Sequence, residues 1–162
     1  MAPVVLDGRL GEIAAEARDY PVHYLREGGT GLCLFAARFW GVNDAIHMAR
    51  NNMRLDLVDT SERVVEMADI YGCMFHHGDA WQFAESMSAD GVQWDAVSCD
   101  TYTGDAEHRS MTTLELWCSL ARDVVTVTHV LGTPYEVPDG WKAELFPRND
   151  RETVFWLVLT PA

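Results

Sequence analysis

Five short apolar runs, "TGLCLFAA", "RLDLVDTS", "CMFHHGDA", "WDAVSCDTYTG" and "VVTVTHVLGT", alternate with four helical segments. No other feature constrains the fold as much. Parallel neighbours in a sheet cannot be joined by a tight turn, so each pair needs a crossover, and the crossover helix covers the sheet. The pattern predicts an α/β, doubly wound domain. After Gly132 the rhythm changes: "WKAELFP", a short polar stretch "RNDRE", and "TVFWLVLT" read as an antiparallel hairpin. One domain over 1–162 is expected, with a leading helical segment at 1–28, βα units at 30–132 and the C-terminal β-hairpin at 141–160.

Local punctuation supports this reading. In the leading segment Leu10, Ile13, Ala14 and Ala17 share a helical face until Pro21 interrupts it. Asn43 or Asp44 is expected to cap "AIHMARNN", and Thr60 or Ser61 to cap "ERVVEMADIYG", which Gly72 stops. "WQFAESMSADG" is the third helix, and "AEHRSMTTLELWCSLARD" reads as one long amphipathic helix.

Charge narrows the partners. The formal net charge is -13, from 25 acids against 12 bases. Such a surface repels a phosphate backbone, which argues against direct nucleic-acid binding. It leaves a small-molecule cofactor, a basic protein partner or a second subunit in a homodimer. Cys33, Cys73, Cys99 and Cys118 form no CxxC pair and read as buried thiols in a reducing compartment. The amino end has neither the basic start nor the apolar run of a secretory signal, and no stretch approaches the ~20 apolar residues of a membrane span. A cytoplasmic acidic protein is the expectation, with no membrane partner.

An acid closes the second strand (Asp59), Gly78-Asp79-Ala80 follows the third, and an acid (Asp100) ends the fourth. With the closing hairpin, this order resembles the class I S-adenosylmethionine-dependent methyltransferase family, from about Thr30 to Thr160. The resemblance implies a Rossmann-like methyltransferase fold: a seven-stranded, mostly parallel sheet with an antiparallel C-terminal hairpin strand. It implies S-adenosyl-L-methionine as cofactor and a transferase reaction. In open α/β sheets the ligand lies outside the carboxyl ends of the strands, so residues just after a strand can touch it.

By that resemblance Asp59 accepts from the ribose hydroxyls, and Asp79, with Gly78 allowing close approach, lies near the adenine amine. Plainer readings stand beside these: a helix-capping or solvated acid for Asp59, a Gly-Asp turn for Asp79. Asp100 and Tyr102 stand where the family's acceptor meets the methyl group. Asp100 is the best-placed base, with His76, His77, His108 and His129 behind it. Asn/Asp-Pro-Pro-Tyr, the loop of the DNA and glutamine methyltransferase branches, is absent.

The family's first motif, an acid followed by a glycine-rich turn along the methionine moiety, is degenerate. Leu34 stands at the acid's place, Ala36 at the first glycine's, and Gly41 remains. Arg38, Phe39 and Trp40 either cover the cofactor or fill its pocket. His76 and His77 alternate across a strand, which opposes a shared metal ion, and no metal site is expected. Neither GxGxxG nor GxxxxGK[ST] occurs. Two functions therefore compete: a methyltransferase acting on an unidentified acceptor, and a catalytically inactive protein using this fold as an acidic interaction or accessory surface.

Overall fold

The computed structural model describes residues 20–36, 39–61, 73–101, 105–148 and 153–162, with the side chains of residues 39 and 40 outside that description. The expected helix at the amino end, the helix at 62–72, and Arg38, Tyr102 and Thr103 lie outside the described residues.

Seven strands form one sheet: β1 (Thr30–Leu34), β2 (Arg54–Asp59), β3 (Cys73–His77), β4 (Trp94–Cys99), β5 (Ala121–Val130), β6 (Trp141–Pro147) and β7 (Val154–Pro161). Their order is β3-β2-β1-β4-β5-β7-β6. The first five pair in parallel, and β7 inserts antiparallel between β5 and β6. The expected hairpin is present, with Trp141 opposite Pro161 and Pro147 opposite Phe155. The doubly wound α/β fold read from the alternation is the fold observed.

Strand alternation sends side chains to two cores. Cys33, Leu55, Leu57, Ala96, Val124, Trp156 and Val158 face α1 (Phe39–Arg50). Leu32, Leu34, Val58, Val97, Val125, Val127, Leu157 and Leu159 face the opposite layer of α2 (Ala80–Ala89), α3 (Asp105–Met111) and α4 (Leu114–Ser119). Trp117 and Trp156, almost wholly buried, anchor the two cores. Truncating a ring of that size to alanine costs about 3–5 kcal/mol.

The four cysteines are free thiols, and Cys33, Cys99 and Cys118 are buried. Burial pushes Cys33 and Cys99 well above the ordinary thiol range and Cys118 up to about 12. A thiol held protonated is a poor nucleophile, so these three are packing residues.

Three local readings are corrected. α1 starts at Phe39, so Asn43 and Asp44 lie inside the helix rather than at its cap, and both are fully buried. The long helix after the fourth strand is two short ones. They separate at Thr112–Thr113, where both hydroxyls donate to the carbonyl of Arg109; β-branched residues that bond back to the preceding turn weaken a helix. β5 begins at Ala121, earlier than its apolar run, because Ala121 already pairs with Trp94 of β4, ahead of a register shift that brings Val124 opposite Ala96.

Candidate functional site

β1 has β2 on one side and β4 on the other, so the chain winds outward in both directions from this pair. Beyond their carboxyl ends lies the crevice that a doubly wound sheet offers to a ligand. Two groups of acids stand along that edge in very different surroundings.

The first group follows β2 and β3. Asp59 ends β2, half-buried, and one carboxylate oxygen accepts from the backbone N–H of Ser61 at 2.8 Å. Asp59 stands in register with His77, and its carbonyl accepts from Gly78 N–H at 2.9 Å. Asp79 follows directly. It is exposed, and its Oδ1 accepts from Trp81 N–H at 2.8 Å and Gln82 N–H at 3.1 Å, which makes it the N-cap of α2. Among the described residues, a Cβ added to Gly78 would meet nothing within 4 Å. Each acid thus has the local role of the plainer reading while remaining accessible. His76 and His77 face different partners: His76 Nε2 lies 2.9 Å from Asp56 Oδ1, and His77 Nε2 lies 2.7 Å from the carbonyl of Thr60.

The turn after β1 is tight. Phe35 has φ 59°, the left-handed region that favours glycine, one residue before Ala36. Its ring packs edge-on against Trp81 at 5.4 Å and Trp117 at 6.5 Å, which holds the strained backbone in place. Ala36 is buried, and its N–H donates to the carbonyl of Val58 at 3.1 Å. Gly41, in the first turn of α1, touches this segment backbone to backbone. A Cβ there would come within 2.8 Å of Phe35 O and 3.0 Å of Ala36 Cα. Gly41 is required by that close approach whether or not a ligand binds.

The second group follows β4 and is buried. Asp100 is 4% exposed; its Oδ2 accepts from Gly41 N–H at 2.9 Å and its Oδ1 from Thr128 Oγ1 at 2.9 Å. Arg148, just past β6, lies 3.5 Å from the same Oδ1, donates to Thr128 Oγ1 at 3.1 Å and stacks over Trp156. One turn further along α1, Asp44 accepts a hydrogen bond from Ser98. Burial, then the neighbouring charge of Asp100, raises the Asp44 carboxyl well above its ordinary value. Among the described residues, the second oxygen of Asp44 and the hydroxyl of Thr101 have no hydrogen-bond partner.

On the other face of β5, Glu107 of α3 accepts from Val130 N–H and Thr133 Oγ1, both at 3.1 Å, and stands 3.8 Å from His129 Nδ1. Burial lowers the His129 pKa against the opposing pull of Glu107.

The sequence therefore located Asp59, Gly78, Asp79, Ala36, Gly41 and Asp100 on one edge, and the structure separates them. Asp59, Gly78 and Asp79 lie together and accessible. Asp100 and Gly41 bond each other below the surface. Asp44, Arg148 and the Glu107–His129 pair were not legible as partners. Asp44 had one available signal, since Asn43 and Asp44 interrupt an otherwise apolar helix. Arg148 had none.

No protein-family model matches this sequence, and no curated protein is similar enough to match it. Solved structures do match. A protein of Escherichia coli assigned as a methyltransferase, yhhF, superposes with a TM-score of 0.64 at 11% identity, over 99% of this chain and 91% of that one. The fold is the one found in solved proteins assigned as methyltransferases. A methylase assigned in Haemophilus influenzae gives 0.63 at 11% identity, over 96% and 89% of the two chains. Fibrillarin of Aeropyrum pernix, solved with S-adenosyl-L-methionine bound, gives 0.58 at 15% identity, over 94% and 74%. At these identities the methyltransferase fold is what is shared. Among the described residues, no helix is long and apolar enough to cross a membrane.

Proposed function

We propose that the protein binds S-adenosyl-L-methionine and transfers its methyl group to an acceptor. The observation that supports this reading most is the strip on β2 and β3: the half-buried Asp59 and the exposed Asp79 stand beside Gly78, where added bulk meets none of the described residues. Asp59 would accept from the ribose hydroxyls and Asp79 from the adenine amine. The backbone of Ala36 and Gly41 would border the methionine moiety. Asp100 and Tyr102 belong to the acceptor side.

The sulfonium of the cofactor supplies the reactivity, and the chain's task is to align an acceptor atom with the methyl carbon. Asp100 contributes by position rather than as a free base. Both of its oxygens already accept hydrogen bonds, from Gly41 and Thr128, so it fixes the first turn of α1 over the turn after β1. A base is needed only for an acceptor that arrives protonated.

One observation favours the second reading, an inactive methyltransferase-fold protein that presents an acidic surface. Phe35 places an aromatic side chain at the left-handed position of the turn after β1, where a glycine leaves room for a ligand.

A thermal-shift titration with S-adenosylmethionine and its demethylated product separates the two. Ligand at a hundredfold excess over its dissociation constant adds about 2.7 kcal/mol, several degrees for a chain of this size. Asp59→Ala should lose most of the shift, since a buried ribose hydroxyl without its acceptor costs about 1–3 kcal/mol. No shift and no calorimetric heat at millimolar concentrations would overturn cofactor binding and leave the interaction protein.

A further inference from the structure

β5 and β6 both run antiparallel to β7, so they are parallel to each other, and the chain must cross over between them. Such a crossover usually carries a helix that covers the sheet. Here it is residues 131–140, which form no helix. On the face that carries α2, α3 and α4, the layer is therefore one helix short, and a groove of about 760 Å³ opens between α4 and this connection.

The walls of the groove have a definite chemistry. Val137 and the half-buried Tyr135 and Trp141 supply its apolar surface. Glu115, Glu136 and Asp139, all exposed, stand around it, and among the described residues no lysine or arginine lines it. Val137 is 39% exposed and Leu131, where the connection starts, 59%. An apolar floor within a carboxylate rim complements a cationic amphipathic segment.

We propose that this groove docks a basic amphipathic helix of a partner protein, which takes the place of the missing crossover helix. Its apolar residues would lie on Tyr135, Val137 and Trp141, and its lysines or arginines would meet Glu115, Glu136 and Asp139. A second copy of this chain fits the groove poorly, because with a net charge of -13 it adds repulsion rather than complementing the rim. None of Ala36, Gly41, Asp59, Gly78, Asp79 and Asp100 lines the groove, and the proposal does not depend on a methyl donor.

The test uses the whole chain and a synthetic leucine–lysine peptide of about 18 residues, long enough to present one apolar and one basic helical face. Binding is measured by calorimetry against two variants with equal change in net charge. Glu115→Lys/Glu136→Lys reverses the rim, and Glu27→Lys/Glu85→Lys alters exposed acids elsewhere. Circular dichroism confirms that both are folded. The rim variant should bind about tenfold more weakly than the unmodified chain, and the distant variant within about threefold of it. Equal weakening in both variants would show attraction to net charge alone and overturn the site. Absence of binding by the unmodified chain would overturn it too, as would a homodimer that Val137→Asp dissociates.

Discussion

At the ends of β2 and β3, the half-buried Asp59 accepts from the N–H of Ser61, and the exposed Asp79 accepts from the N–H groups of Trp81 and Gln82. At the end of β4, Asp100 bonds Gly41 of α1 and Thr128 of β5 and faces Arg148 from beyond β6, and almost none of it reaches solvent. The same residue type, at equivalent strand ends on one edge of one sheet, does opposite work. Asp79 can exchange water for a ligand with little disturbance, because its side-chain hydrogen bonds are local. Asp100 ties four distant elements together, so it supports the crevice rather than lining it. A buried ionic group of this kind tolerates the loss of a partner badly.

The largest effect is expected from separating that pair. Arg148→Met leaves the Asp100 carboxylate buried without its cation and should destabilise the chain by about 3–5 kcal/mol in urea denaturation. Asp100→Asn on the same background should recover part of the loss, since the two residues share a network. A cost below about 1 kcal/mol would mean that the pair is not buried as described, and the contrast between the two groups would fail.

Next is the pH dependence of the buried group. Burial and the neighbouring Asp100 raise the Asp44 carboxyl above its ordinary value, 3.8. The folded chain therefore holds this proton more tightly than the unfolded chain. Its contribution is complete below pH 3.8 and is lost as pH rises through the folded value. His129 has the opposite sign. Its pKa is lowered from 6.5, so its contribution is present above 6.5 and is lost as pH falls through the folded value. Asp44→Asn and His129→Phe should each flatten their own limb of the stability–pH curve. A limb left unchanged by its own substitution would blur the comparison.

The smallest effect sharpens it from the exposed side. Asp79→Ala removes the cap of α2 and should cost about 1 kcal/mol in thermal unfolding, whereas Asp79→Asn retains an accepting oxygen and should be nearly neutral. If Asp79→Asn also weakened cofactor binding in the titration above, the same carboxylate would serve the helix and the ligand.

The alternation of apolar runs and helices, the hairpin and the strand-end positions of Asp59, Asp79 and Asp100 were legible in the sequence alone. Each depends on local periodicity and on the rule that parallel strands require crossovers. The caps and breaks were less legible. α1 begins earlier than the apparent Asn43 or Asp44 cap because tertiary burial on nearly every side stabilises a helix whose own signals are mixed. The break at Thr112–Thr113 depends on hydroxyls bonding back to Arg109.

Only the tertiary structure decided which acids are accessible and which are enclosed. Arg148 is distant in sequence from both Asp44 and Asp100, and nothing in "FPRND" indicates that its guanidinium turns inward over Trp156. Long-range pairing has no period and no spacing, and it follows from how β5, β6 and α1 meet. The positive φ at Phe35 likewise reflects Gly41 pressing against that turn, so the residue with glycine-like backbone is one place from where the sequence put it. The layout was legible because backbone hydrogen bonding and apolar periodicity are local, whereas the environment of each carboxylate depends on neighbours that only folding brings together.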